Sequence, residues 1–384
     1  MFPLASLLGI DPQYSETWKN IFLNVFSSQR GMQLAVPSGL LILILCRAFF
    51  RCGSLGLFVI SAFLLAVMPF ASVHSTLALA PVLVVSAFFT SPRKTVPVLI
   101  LSLVATLFSC WHVGALGKSS FVRLDPFLPR EEVWNLVSWL LNYGLWIPLV
   151  AWVTYASLSA LRRKIRSGNP PASLMRKDPQ LWDLSIFLYF VTLFVVASFV
   201  TFSPWTWDNT KMLLWPVLGT SYYVWRVFLK SATLPWRVAI LLLLVSPSIP
   251  SVAREISIQN KGHRLFSAEE YHDALAAKRS IGGITRLAAS PEYNHPWLVA
   301  GHPFVMGYAG WLWSHGLDYK ETHKKLGKVM SASRDWESVA SDLGVTHLLW
   351  GSRERAAVKK DRHPVQEEWK KVWEGPSGEL YERD

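Results

Sequence analysis

The sequence predicts an α-helical polytopic membrane bundle of about eight spans, followed by a small α/β extracytoplasmic domain. Three observations predict it. Of 384 residues, 51% are hydrophobic and only 17% are charged, against about 25% charged in ordinary soluble domains. The long apolar runs stop near Pro250. The charge divides at the same place: residues 1–249 carry 19 Lys and Arg against 8 Asp and Glu, and residues 250–384 carry 19 against 18. Most of the net charge of +12 therefore sits in short segments between apolar runs. A nucleic-acid partner would need a basic patch on a polar domain, so this class is excluded, as is a disordered chain. The expected domains are an outer N-terminal segment at 1–31, a transmembrane helical domain at 32–250 and a periplasmic α/β domain at 251–384.

A spanning helix needs about 20 mostly apolar residues. Candidate spans lie at 32–49, 55–70, 74–90, 96–112, 133–158, 182–202, 211–227 and 234–250. Several contain Pro or Gly, which membrane helices tolerate. Orientation follows from Lys and Arg. The segment LRRKIRSGNPPASLMRKD after the fifth span holds Arg162, Arg163, Lys164, Arg166, Arg176 and Lys177, the strongest cytoplasmic marker. With this segment inside, alternation places Arg47, Arg51, Arg93, Lys94, Arg226, Lys230 and Arg237 inside as well. The segments 69–74, 113–132 and 203–210 then face out, and so does the tail. In a bacterium this means the cytoplasmic (inner) membrane, with the C-terminal domain in the periplasm. The same alternation leaves residues 1–31 outside, although Met1–Ile10 lacks the basic n-region and cleavage site of a signal peptide. Further spans are therefore expected upstream, or an unusual first element within Met1–Phe26.

The tail alternates helix and strand patterns. Helices are expected at 266–279, 318–330 and 335–344, the last with Asp335 as N-cap and Gly344 just past its end. Strands are expected at HPWLVAG (295–301) and VTHLLWG (345–351), with a closing hairpin around Pro376–Gly378. The tail has no dinucleotide or phosphate-loop motif, and no cofactor is assigned. Cys46, Cys52 and Cys110 lie in or beside apolar runs, without zinc spacing.

Candidate chemistry gathers at the outer segments. SPWTWDNTK (203–211) places Asp208, Asn209 and Lys211 between apolar helices, with Trp205 and Trp207 fitting an interfacial belt. Asp208 has the chemistry of a metal ligand or a catalytic base, and Lys211 that of a lipid-phosphate contact. The plain alternative is a capped turn with Asp208 paired to Lys211. His74, at the outer end of a span, is either a proton or phosphate contact near Asp208 or a satisfied interfacial residue. In the tail, His302, Tyr308 and Trp311 belong to an aromatic loop suited to an acceptor or to the membrane surface. Asp125, Glu131 and Glu132 form either a carboxylate pair or a solvated face. No metal site is expected.

In order along the chain, QRGMQLAVP, LLAVMPFASVHS, LLNYGLWIPL, SPWTWDNTK and HPFVMGYAGWLWSHGLDY, then LGVTHLLWG, resemble the back half of bacterial GT-C-type polytopic glycosyltransferases. That superfamily includes the dolichyl-phosphate-mannose-dependent protein mannosyltransferases. The resemblance runs from about residue 29 to the end and implies a multi-helix bundle, a periplasmic C-terminal domain and a polyprenyl-phosphate sugar donor. On the enzyme reading, Asp208 is the expected catalytic residue, and Asn209, Lys211, His74, His302, Tyr308 and Trp311 are the expected substrate contacts. Catalytic acids of this superfamily sit in the first outer loop; here Asp11 and Glu16 do not form that pair. A separately encoded N-terminal half is therefore an expected partner. The alternative is a non-catalytic scaffold or accessory subunit with a partner-binding periplasmic domain. A transporter is the weakest option, because the spans hold few ionisable residues.

Overall fold

A computed structural model describes residues 30–88, 92–113, 122–124, 143–166, 179–202, 209–246, 264–280, 286–314, 317–358 and 369–383. The chain divides into two compact units: Met1–Val113 with Lys118–Asn260, and Gly114–Gly117 with Lys261–Asp384.

The described part of the first unit is mostly helical. Helix α1 is Arg30–Cys52. Gly53 stops it, with φ +69 and its N–H on the Phe49 carbonyl at 2.7 Å. A left-handed residue at this point is where glycine costs least. Helix α2, Leu55–Val67, tightens into a 3-10 turn at Met68–Phe70. Helices α3, Val73–Phe88, and α4, Pro92–His112, follow. Next come strand β1, Arg123–Leu124, and helix α5, Trp146–Arg166. Helix α6, Pro179–Phe199, runs into strand β2, Val200–Thr201. Helix α7, Thr210–Val224, passes into a π-helical turn at Trp225–Leu229, and helix α8 is Leu234–Val245.

Three of these helices are long and apolar enough to cross a membrane: Gly31–Cys52, Arg93–His112 and Pro179–Phe199. Leu55–Phe70, Val73–Phe88 and Leu234–Val245 are apolar but shorter. The fifth expected span differs from its helix. Residues 133–142 lie outside the described residues, and α5 continues through Arg162, Arg163 and Arg166. Lys and Arg are good helix formers, and cations at a helix C-terminus meet the negative end of its dipole, so the basic stretch prolongs the helix.

The surface of this unit is as apolar as its core, unlike that of a water-soluble domain. Phe58, Phe187, Phe190 and Trp215 fill its core. Yet Phe63, Leu101, Trp111, Tyr155, Leu234 and Trp236 face outward, each at least 64% exposed, while Ser61, Ser75, Ser86 and Thr220 are fully buried. Such hydroxyls need internal partners. Ser61, Ser86 and Thr220 donate back to the carbonyls of Leu57, Val82 and Pro216 at 2.7–2.8 Å.

The second unit is built on a four-stranded sheet of order β3-β4-β6-β5. Its strands are β3, Leu287–Ala288, β4, His347–Gly351, β5, Trp369–Gly375, and β6, Gly378–Arg383. β3 lies parallel to β4; β6 is antiparallel to both β4 and β5. The hairpin of β5 and β6 is the one expected around Pro376–Gly378. Around the sheet lie α9, Ala268–Ser280, α10, Pro296–Val299, α11, Ala309–Ser314, α12, Lys320–Met330, α13, Trp336–Asp342, and α14, Ser352–Val358.

The expected strand at 295–301 is instead a helical turn. Pro296 opens it with φ already set, and the His295 ring accepts from the Trp297 N–H. The parallel strand is the two-residue β3 before it, too short to show a period of its own.

Candidate functional site

The helix ends of the first unit form two polar clusters. One gathers at the start of α7. Asn209 is fully buried there. Its Nδ2 donates to the carbonyls of Ala197 at 2.5 Å and Val200 at 3.0 Å, and its Oδ1 accepts from the Phe202 N–H at 3.1 Å. One side chain thus satisfies carbonyls at the C-terminal end of α6 and holds the chain on both sides of 203–208. Beside it, β2 pairs antiparallel with β1, Arg123 opposite Thr201 and Leu124 opposite Val200. Two segments distant in sequence therefore meet at this end of α6.

The same end gathers α1, α3 and α7. Trp215 Nε1 donates to Ser75 Oγ at 3.0 Å, and Ser75 Oγ bonds Ser72 Oγ at 3.0 Å and Met32 Sδ at 3.5 Å. His74 is buried next to this knot, and Lys211 lies partly buried in the first turn of α7. His74, Asn209 and Lys211 are thus at one end of the helices, on α3 and at the start of α7. Asp208 lies outside the described residues.

At the opposite end, Asp183 is nearly sealed, with its side chain 1% exposed. Arg47 grips it with two donors, Nε to Oδ1 at 2.8 Å and Nη2 to Oδ2 at 3.2 Å. Arg226 Nη1 donates to the same Oδ2. The three residues come from α1, α6 and the π-helical turn. The Arg47 guanidinium also lies over the Tyr222 ring, 4.5 Å from its centroid.

The second unit holds its own buried carboxylate. Glu354 is 1% exposed and accepts from His295 Nε2 at 3.2 Å, Ser290 N–H at 3.0 Å and Gly351 N–H at 3.0 Å. Because His295 Nδ1 accepts from Trp297, the ring proton sits on Nε2 and points at Glu354. Burial pushes the Glu354 carboxyl up, but the His295 and Ser290 bonds outweigh it, leaving the group below the usual carboxylate range. Outside this pair, Arg353 joins Glu270 at 2.9 Å to Glu292 at 3.0 Å.

His302 is buried in the same unit, its Nε2 on the Ala274 carbonyl at 2.8 Å and its ring beside Trp297. Burial lowers its pKa more than that bond raises it. Tyr308 and Trp311 do come together, edge to face at 6.0 Å, and Tyr293 joins both at 5.3–5.5 Å. Gly310 makes room for the Tyr308 ring, which a Cβ there would strike. Tyr293 is exposed and Trp311 is 39% exposed, so the trio presents an aromatic face. Sequence reasoning singled out Tyr308 and Trp311 but missed Tyr293, Glu354 and the role of His295 as cap and donor. Among the described residues, no three His, Cys, Asp or Glu side chains are grouped to hold a metal ion.

No family model matches this chain, and no curated protein matches it.

Proposed function

We propose that this chain is a multi-pass membrane protein of the GT-C glycosyltransferase type, corresponding to the C-terminal part of such a bundle. It would transfer a sugar from a polyprenyl-phosphate donor on the outer face, together with a separately encoded N-terminal half. Support for membrane embedding comes from the apolar outer surface of α2, α4 and α8 over a core holding buried hydroxyls. The observation that carries the reading is the meeting of β1 with β2 beside the Asn209 anchor. It brings part of the expected outer segment 113–132 to the end of α6 that leads into the expected outer segment 203–210, away from Asp183 at the other end. Asp208 precedes that anchor directly, where a carboxylate can act as base on an acceptor hydroxyl. Lys211, in the first turn of α7, has the charge to meet the donor phosphate.

The test is sugar transfer from labelled polyprenyl-phosphate donors in membranes carrying the chain, with and without the neighbouring reading frame. Transfer is expected when both are present, and Asp208→Ala should lower it by about 100-fold or more. Absence of both transfer and donor binding in either membrane defeats the proposal.

A second reading, a non-catalytic accessory subunit, is favoured by one observation: Asn209 spends all its polar atoms on backbone groups. Under it, the Tyr293, Tyr308 and Trp311 face would bind a partner, and capture of that partner would survive Asp208→Ala with Lys211→Ala.

A further inference from the structure

The Asp183 clamp holds more positive charge than it consumes. Two guanidiniums face one carboxylate, so the cluster keeps a net charge of about +1. Asp183 engages Nε and Nη2 of Arg47 and Nη1 of Arg226. Nη1 of Arg47 and Nε and Nη2 of Arg226 lie outside the clamp. Both side chains reach solvent, at 20% and 30% exposure. One turn further along, Arg51 and Lys230 are exposed as well.

Depth narrows the ligand. Helix α1 has 23 residues, about 34 Å of rise, comparable with a hydrocarbon core of about 30 Å. Arg47 stands roughly 7 Å from the end of α1, and Asp183 roughly 6 Å from the start of α6. With α1 and α6 centred on such a core, both residues would lie about 5 Å inside its edge, a depth from which an arginine side chain reaches the headgroups. Guanidiniums match phosphate oxygens two at a time, and basic pockets between helices at this depth suit anionic headgroups. Asp183 fixes both guanidiniums in place, which lowers the ordering cost of binding.

We propose that Arg47 and Arg226, positioned by Asp183, bind the phosphate of an anionic membrane lipid between α1, α6 and α7. The proposal rests on the membrane-spanning reading but not on sugar transfer, and it concerns the end of α6 opposite the β1–β2 ladder.

The test reconstitutes the full chain in nanodiscs of phosphatidylcholine, with or without phosphatidylglycerol. Phosphatidylglycerol should raise the thermal midpoint by roughly 2–4 °C and be retained in native mass spectra. Arg226→Gln should remove the rise, and Arg226→Lys should keep part of it, a check should the Gln variant fold poorly. Asp183→Asn should lower the baseline midpoint and shrink the lipid-dependent rise, because the guanidiniums lose the carboxylate that orders them. An equal rise in wild type and Arg226→Gln, or no rise in wild type, overturns the proposal. An equal rise from inorganic phosphate in neutral discs overturns the lipid assignment. Alkaline extraction separates the two levels: a chain that stays in the membrane pellet yet shows no lipid dependence sinks this inference alone.

Discussion

Single residues carry much of the order in this chain, and Glu354 shows how. Its two oxygens take three buried donors. Glu354→Ala would strand those donors, at a cost of about 1–3 kcal/mol for each, so a total loss near 3–5 kcal/mol is expected. Glu354→Gln keeps one acceptor oxygen and should lose less. The pH dependence has a definite sign. Glu354 lies below its ordinary value, so its contribution is present above about pH 4.5 and is lost as pH falls through the folded value. His302 and His347 are also lowered, chiefly by burial. Their contribution is full above about pH 6.5 and fades below it. All three push the same way, so protease resistance of the tail should decline from pH 7 to pH 4, and less steeply in Glu354→Gln. Resistance rising on acidification would contradict the assignment. None of this was legible beforehand. A lone Glu after a buried strand looks like any helix-starting acid, and only the fold brings Ser290 and His295 to it. Asp183 sits one residue inside an expected span, and nothing in the sequence marks Arg47 and Arg226, far away along the chain, as its partners.

Among the elements, apolar run length carried most of the information. Helices α1, α4 and α6 stand where the runs stand, because a long apolar segment has few other ways to satisfy its backbone. In the tail, α9, α12, α13 and β4 also stand within a few residues of the patterns that announce them. At α9 the sequence held more than its acidic first turn. Ser267 and Glu270 form a reciprocal capping box, with bonds of 2.6 and 3.0 Å. The Pro296 turn was misread because a short apolar run does not distinguish strand from helix. Contacts between helices were beyond the sequence, and Gly219 is the case to test. A Cβ at Gly219 would strike the ring of Phe190, which is fully buried on α6. The ring has little space to give way, so Gly219→Ala should destabilise the first unit by about 1–3 kcal/mol. Gly56 in α2 meets nothing closer than Ser54 Oγ at 3.9 Å. Gly56→Ala should leave the stability unchanged or raise it by up to about 1 kcal/mol. Thermal melts of both variants in one detergent decide the matter, and a loss at Gly56 equal to that at Gly219 would refute the close-packing argument.

At the scale of the whole molecule, the charges and the helix ends make one joint prediction. Asp183 stands near the start of α6, while Arg47 and Arg226 stand near the C-terminal ends of α1 and α7. Asn209, by contrast, ties the end of α6 to the start of α7. Helices α1 and α7 thus run opposite to α6, as alternation across a bilayer requires. The cations of these ends and of α5 also belong to one expected side. Cytoplasmic loops are the ones that gather Lys and Arg, so the Arg47 end should face the cytosol. An odd number of crossings then separates that end of α7 from the tail, if α8 completes the last span. A reporter fused after Asp384 tests the inference without any assumption about chemistry. Alkaline phosphatase, active only outside the cytosol, should be active there, and green fluorescent protein exported unfolded should stay dark. The reverse pattern would place the aromatic face of Tyr293, Tyr308 and Trp311 in the cytosol. It would then be out of reach of an outer-face sugar acceptor, and the proposed transferase reading would fall with the topology.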